Sequence, residues 1–437
     1  MTRDANDIQA LNERAHALVP GGAHTYAKGD DQFPVSAPPF IVRGHGCHVW
    51  DLAGREFIEY GMGLRSVTLG HAFQPVVQAA MQALQHGTNF TRPSLLELQC
   101  AEQLQSMVPG AEMIKFCKDG STAVDGAIRL ARAHTGRDLV AMCGDHPFFS
   151  TSDWFIGRTE MNAGIPAATQ QQVLKFGYND LASLRALFDQ HPGQIACVIL
   201  EAERTEPPAP QYLEQLQALT HAQGAVLVFD EMITGFRWHN GGAQALYGVT
   251  PDLGTFGKAM ANGFSVSALV GRRELMKLGG ARHDRDRVFL LSTTHGAETH
   301  GLAAALATMQ FYQQHPVVEA LRARGARLRQ GFERAAASHG LQSKVALLSR
   351  DCNLLFVMRD QQGHPSQPFR TLFMQELVRR GVLAPSFVVS YSHTEADIDH
   401  TVEAIDAAFA VYRRALDGDI NTFLEGRPVQ PAVRKRG

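Results

Sequence analysis

No surplus of charge of either sign marks this chain: charged residues make up 19% of it and the formal net charge is -2. A field that recruits nucleic acid or an anionic membrane surface is therefore not expected, and small molecules or a second copy of the chain are the expected partners. Cysteine is sparse as well. Cys47, Cys100, Cys117, Cys143, Cys197 and Cys352 occur without a C-x-x-C pair or a regular framework. They read as reduced, buried thiols, and no metal site is expected from them. No apolar stretch approaches the length that spans a bilayer, and Met1 to Ala10 is polar where a secretory signal would carry an apolar core. The expected location is the cytoplasm. There is no internal repeat of fixed period and no low-complexity tract, which excludes solenoids and long disordered linkers.

What is present is enough chain, 437 residues, for at least two packed units. From about residue 110 to 310, short β-branched runs alternate with helical patterns. Leu139 to Cys143, Cys197 to Leu200 and Ala225 to Phe229 are near-continuous apolar strands of the kind buried on both faces. The fold class is α/β with a largely parallel sheet. Residues 40 to 60 read instead as a small hairpin lobe, with Gly54 closing the turn Asp-Leu-Ala-Gly. After about residue 315 come long amphipathic helices, one starting near Thr394, where Thr-Glu-Ala-Asp forms a capping box with Asp397 at the third helical position. The expected division is an N-terminal segment, 1–60, packing with the small domain; a large domain, 61–315; and a small C-terminal domain, 316–437. The tail from Glu425 to Gly437 reads as a mobile end.

Three segments carry chemistry. In Lys115-Phe-Cys-Lys-Asp-Gly-Ser-Thr122 a strand end and a glycine turn lead into a helix, which places Gly120 and Ser121 at its N-terminus. Free backbone N–H groups and the positive dipole end favour a phosphate there, with Ser121 and Thr122 as hydroxyl donors; the plainer reading is an ordinary N-cap. In Ala225-Val-Leu-Val-Phe-Asp-Glu-Met-Ile-Thr-Gly-Phe-Arg237 a buried strand delivers Asp230 to its carboxyl end, where open α/β sheets bind ligands. Asp230 there needs a cation, either a protonated ring nitrogen or Arg237. In Thr255-Phe-Gly-Lys-Ala-Met-Ala-Asn-Gly263 a small-residue loop presents Lys258, about 28 residues and one strand further on. An amine near a cation and away from bulk water loses basicity, which Schiff-base chemistry requires.

Taken in order, these segments resemble the class III pyridoxal-phosphate aminotransferases, and within them the glutamate-1-semialdehyde 2,1-aminomutase-like branch. Pro20-Gly-Gly22, Pro39-Phe-Ile-Val-Arg43, the stretch from Gly241 to Asp252, and Gly381-Val-Leu-Ala-Pro-Ser386 extend the resemblance over nearly the whole chain. It implies a fold-type I transferase with pyridoxal 5′-phosphate as cofactor and a large domain with a mostly parallel sheet beside a smaller α+β domain. Lys258 would be the Schiff-base lysine and proton carrier, Asp230 the partner of the pyridine nitrogen, and Gly120 with Ser121 the phosphate cradle. Met232 would pack on one ring face. His146, in Gly144-Asp-His-Pro-Phe-Phe149, would cover the other, with Phe148 or Phe149 as alternatives. Glu201 matches a family carboxylate in an anchoring role. Thr293, or else Thr294, would reach the cofactor phosphate of a neighbouring subunit, which implies a homodimer with shared active sites; the alternative is that these residues only cap the following helix.

The function implied is transfer of an amino group from an amino-acid donor to an aldehyde, keto-sugar or keto-acid acceptor. The alternatives are an intramolecular 2,1-amino shift, a racemase or epimerase on the same scaffold, and a non-catalytic fold relative. Two segments depart from the aminomutase pattern: Ala23-His-Thr-Tyr-Ala-Lys28, and Ser386-Phe-Val-Val-Ser-Tyr-Ser-His393, which is shorter and lacks an acid. Arg65 and Arg92 would suit a substrate carboxylate or phosphate, or else structural ion pairs. His24, Tyr26 and Ser390 offer contacts to a polyhydroxy substrate.

Overall fold

The computed structural model describes residues 5–435. They form two compact units, one built from residues 5–73 with 319–434 and the other from residues 74–318.

The first unit opens with an antiparallel meander of β1 (Ile41–His45), β2 (His48–Asp51) and β3 (Glu56–Glu59). Its second turn closes as the Asp-Leu-Ala-Gly signature predicts. Gly54, at φ +80°, donates its N–H to the Asp51 carbonyl, and the Asp51 carboxylate accepts from the amides of Ala53 and Arg55.

The second unit holds a seven-stranded sheet of β4 (Met113–Cys117), β5 (Leu139–Cys143), β6 (Val173–Phe176), β7 (Ile195–Leu200), β8 (Val226–Asp230), β9 (Leu253–Phe256) and β10 (Ser267–Gly271). Their order is β4-β10-β9-β8-β7-β5-β6, parallel throughout except for β10, which runs antiparallel to both neighbours. Both faces are covered, which is why these strands read as unbroken apolar runs. Alternate side chains go to opposite cores. Val140, Met142, Cys197, Ile199, Val226 and Val228 pack with helix Gly120–Thr135, whereas Ala141, Cys143, Val198, Leu200, Leu227 and Phe229 pack with Leu184, Phe188, Leu213 and Leu216 of two other helices. At roughly 1.5–3 kcal/mol for each large apolar side chain removed from water, this double burial makes the sheet a stiff platform. The carboxyl ends of β4, β5, β7, β8 and β9 share one edge. The chain segments after them carry Gly120, His146, Glu201, Asp230 and Lys258.

Past residue 318 the first unit adds β11 (Val345–Leu348), β12 (Asn353–Met358), β13 (Val382–Leu383) and β14 (Phe387–Val388). β13 joins the meander parallel to β3, and β14 completes the antiparallel sheet β11-β12-β14. Helices Gln367–Val378 and Glu395–Leu416 bury an aromatic core that includes Phe332, Phe373, Phe409 and Tyr412. The second helix starts with the expected capping box: Thr394 Oγ1 accepts from the Asp397 amide, and Asp397 Oδ2 accepts from the Thr394 amide at 2.7 Å.

The tail corrects the expectation of a mobile end. Val429 is buried with its amide on Thr371 Oγ1 at 2.8 Å, the Gln430 amide reaches the Asp31 carbonyl, and Arg434 pairs with Asp31 at 2.6 Å. Two prolines shape the segment without freeing it, because the Val429 side chain and the amides of Val429 and Gln430 are held. Arg436 and Gly437 lie outside the described residues. All six cysteines are buried thiols, as their spacing suggested. Among the described residues no helix is long and apolar enough to cross a membrane.

Candidate active site

The plain reading of this segment, an N-cap at the Ser or Thr after the glycine, is corrected by the structure. Asp119 is the N-cap of helix Gly120–Thr135: its Oδ1 accepts from the Thr122 amide at 2.8 Å and its Oδ2 from the Thr122 hydroxyl at 2.9 Å. Thr122 is thereby spent, which corrects its expected role as a phosphate donor. The amides of Gly120 and Ser121 belong to the first helical turn and have no intrahelical acceptor. Ser121 Oγ accepts from the Thr151 amide at 3.1 Å, so its own proton is left to donate to an anion. Asp before Gly-Ser-Thr was the signal available for the true cap.

Asp230 is the last residue of β8, 4% exposed, and accepts through Oδ1 from the Met232 amide (3.0 Å) and the Thr255 hydroxyl (3.1 Å). Burial first and then nearby Glu201 push its carboxyl up, Lys258 and the two hydrogen bonds pull it back, and it stands at about 7. Glu201, at the end of β7, holds Arg204 through Oε1 at 2.6 Å, while the buried Oε2 has no partner. Two buried carboxylates so close together make a strong demand for positive charge.

Lys258 follows β9 and opens the short turn Lys258–Ala261 with φ +46°. A left-handed lysine costs on the order of 1–3 kcal/mol, strain of the kind held at functional positions. Met232 ties the motifs together. A Cβ on either Gly120 or Gly257 would lie 2.8 Å from its sulfur, so the phosphate loop, the strand-end aspartate and the lysine loop converge on one thioether. A side chain at either glycine would have to displace that sulfur.

His146, beyond the end of β5, is 4% exposed and accepts at Nδ1 from the Glu201 amide at 3.1 Å. Burial pushes it down to about 4, so the ring is a neutral, flat surface at neutral pH. Of its alternatives, Phe149 is committed to the core against Phe155, and Phe148 is about half exposed. A hub missed by sequence reading anchors this loop. Asp125, on the phosphate helix, accepts from Ser150 Oγ (2.8 Å), Trp154 Nε1 (2.7 Å) and Ser152 Oγ. No local signal announces such a partnership, because the residues lie 25 to 29 positions apart.

Thr293 is exposed, and Glu298 is the N-cap of helix Thr299–Gln314 without a side-chain cap bond. The reading in which Thr293 or Thr294 merely caps that helix is therefore corrected. Glu298 instead pairs with Lys118 at 2.7 Å, fastening this segment beside the phosphate loop. Arg92 is exposed just before helix Leu95–Met107.

The remaining candidates lie in the first unit. His24 and Tyr26 are exposed. Arg65 ends a run of four left-handed residues, Met62 to Arg65, and donates from Nε to Asn353 Oδ1 (2.7 Å) and from Nη2 to Ser386 Oγ (3.3 Å). Ser390 is a correction: it is fully buried, with its hydroxyl 2.8 Å from His393 Nδ1, because Phe387 and Val388 form β14 and draw the segment into the core.

A strained buried-edge lysine, a strand-end carboxylate pressed toward protonation and a small-residue helix N-terminus together suit pyridoxal phosphate, whose ring nitrogen is cationic and whose tail is an anion. The architecture is that of the fold-type I pyridoxal-phosphate-dependent transferases. The structure superposes on the pyridoxal-phosphate internal aldimine form of the FumI protein of Sphingopyxis sp. MTA144 with TM-score 0.87, 28% identity, and 97% and 99% of the two chains covered. An omega-transaminase from Sphaerobacter thermophilus matches with TM-score 0.80 at 26% identity, covering 93% of this chain and 98% of that one. The family model for class-III aminotransferases matches residues 26–409, and the chain belongs to that family. Among its relatives are the 3-aminobutyryl-CoA aminotransferase of Cloacimonas acidaminovorans, 30% identical with 93% of this chain and 97% of the relative covered, and the glutamate-1-semialdehyde 2,1-aminomutase of Laribacter hongkongensis, 33% identical with 92% and 99% covered.

Proposed function

We propose that this class-III enzyme is an intermolecular aminotransferase that moves an amino group from an amino-acid donor to an aldehyde, keto-sugar or keto-acid acceptor. The observation that carries the reading is the convergence of Gly120, Asp230 and Gly257-Lys258 on Met232 at the carboxyl edge of the sheet. Pyridoxal phosphate supplies, when bound, a carbonyl that amines attach to and a conjugated cation that delocalises the electron pair of a deprotonated carbon.

The chain's own residues do the rest. The amides of Gly120 and Ser121 and the Ser121 hydroxyl hold the phosphate, and Thr293 of a second copy adds to it in a homodimer with shared sites. Asp230, ionised by a cationic partner, keeps the ring nitrogen protonated. Met232 and His146 cover the two ring faces, and Glu201 anchors the loop through His146. Lys258 Nζ would hold the cofactor and, when free of it, would take the proton from the substrate carbon. Arg92 is assigned to substrate recognition.

Transfer between molecules is preferred over an internal 2,1-shift because the segment after Ala384-Pro-Ser386 is a short buried strand with no acid. The test is a visible spectrum of the purified protein with and without glutamate. Loss of the band of the lysine-linked cofactor, with stoichiometric 2-oxoglutarate, is the expected result; turnover of glutamate-1-semialdehyde with no donor present would show the aminomutase instead.

A further inference from the structure

The first unit holds a cluster that amino-group chemistry does not use. Cys47 and His48 follow the turn between β1 and β2, and Asp397 is the third residue of helix Glu395–Leu416. The Cys47 sulfur lies 3.4 Å from Asp397 Oδ2, His48 Nε2 lies 3.1 Å from Asp397 Oδ1, and the three ligand atoms fall within 4.8 Å of one another. Donor atoms around a tetrahedral zinc stand about 3.3–3.6 Å apart, given metal bonds of about 2.3 Å to sulfur and 2.0–2.1 Å to nitrogen and oxygen. The cluster is already near ligand spacing.

A second observation comes from behind the histidine. His48 Nδ1 lies 2.8 Å from Glu56 Oε1. A carboxylate on the distal nitrogen orients metal-binding imidazoles and leaves the lone pair on the other nitrogen. With its proton on Nδ1, His48 would turn the Nε2 lone pair toward Asp397 Oδ1, a place that suits a cation. A third observation is His393, fully buried with Nε2 unpartnered and within electrostatic reach of both Asp397 and His48.

We propose that Cys47, His48 and Asp397 bind one divalent transition-metal ion, Zn²⁺ being the best match to a thiolate, imidazole and carboxylate set. The Cys47 thiol proton passes to solvent as the sulfur–metal bond forms, no oxidation state changes, and water takes the fourth position. His48, with its side chain 30% exposed, is the entry side. The ion would fasten the β1–β2 turn to the start of the last long helix and act as a structural staple.

The test is zinc uptake by the cofactor-loaded full-length protein, measured by equilibrium dialysis with elemental analysis, alongside the thermal unfolding midpoint. One tightly held Zn²⁺ per chain and a raised midpoint are expected, with both lost in Cys47→Ser and in His48→Gln. Glu56→Gln should weaken binding about 10–100-fold, as removal of an outer carboxylate does. Cobalt should give the intense visible bands of a tetrahedral, sulfur-ligated ion. Retention of the cofactor's visible band shows that each variant folds; should Cys47→Ser fail there, His48→Gln makes the same test at a partly exposed position. Absence of stoichiometric uptake, or uptake unchanged in His48→Gln, would overturn the proposal without touching the aminotransferase reading.

Discussion

The carboxyl edge of the seven-stranded sheet and the candidate substrate segments of the first unit are built in opposite ways. At the sheet edge each functional side chain stands at the end of a strand buried on both faces, and its hydrogen bonds aim it without consuming it: Asp230 is steered by Thr255 and the Met232 amide, and His146 by the Glu201 amide. In the first unit the segments read from the sequence as substrate contacts either lie exposed, as His24 and Tyr26 do, or are absorbed into the core, as Phe387 to Ser390 are. Cofactor chemistry demands a rigid, dry frame, whereas substrate choice tolerates change at positions that carry little of the fold.

The sharpest way to break this contrast is at Lys258. Lys258→Ala should lower turnover by roughly 10⁴-fold or more while the phosphate cradle still retains some cofactor, because anchoring and proton transfer are lost but Gly120 and Ser121 are not. Rapid kinetics and cofactor dialysis check both halves, and appreciable turnover by this variant would remove the assignment.

Asp230→Asn comes next, with an expected loss of about 10²–10³-fold in kcat. It carries a pH signature as well. A carboxyl held at about 7 in the folded, cofactor-free protein keeps its proton after the unfolded chain has lost it near the ordinary value of about 3.9. Between those values the folded state binds more protons, so this group's contribution to stability falls as pH rises. Urea midpoints of the cofactor-free protein across that window should therefore fall more steeply with pH for the natural chain than for Asp230→Asn; equal slopes would mean that Asp230 is ionised throughout.

The smallest effect belongs to the exposed rim. Arg92→Gln should raise KM for a carboxylate substrate about 10-fold, the worth of one charge-assisted hydrogen bond, with kcat and stability nearly unchanged. A drop in kcat as large as that of Asp230→Asn would place Arg92 in the frame instead of on the rim.

Much of the frame was legible because its signals are local. Unbroken apolar runs marked β5, β7 and β8 to within two residues, Asp-Leu-Ala-Gly marked a turn, and Thr-Glu-Ala-Asp marked a helix start. What was not legible depends on partners remote in sequence. Asp125 as the hub for Ser150, Ser152 and Trp154, Arg204 on Glu201, the docking of Val429 against Thr371, and the burial of Ser390 all arise when folding brings unrelated segments together. Even the N-cap lies before Gly120, at Asp119, and not at the Ser or Thr after it, because the backbone geometry selects among the residues that flank the glycine.

By itself, then, the chain determined its class: an ordered set of motifs, those proposed for phosphate, ring nitrogen and Schiff base, each written in adjacent residues at the end of an apolar strand. Tertiary structure decided how those groups are tuned. Burial is the largest cause that raises Asp230 and lowers His146, and the approach of Gly120 and Gly257 to Met232 appears only in three dimensions. Desolvation and close packing are properties of three-dimensional neighbours, and a linear sequence names residues without naming what surrounds them.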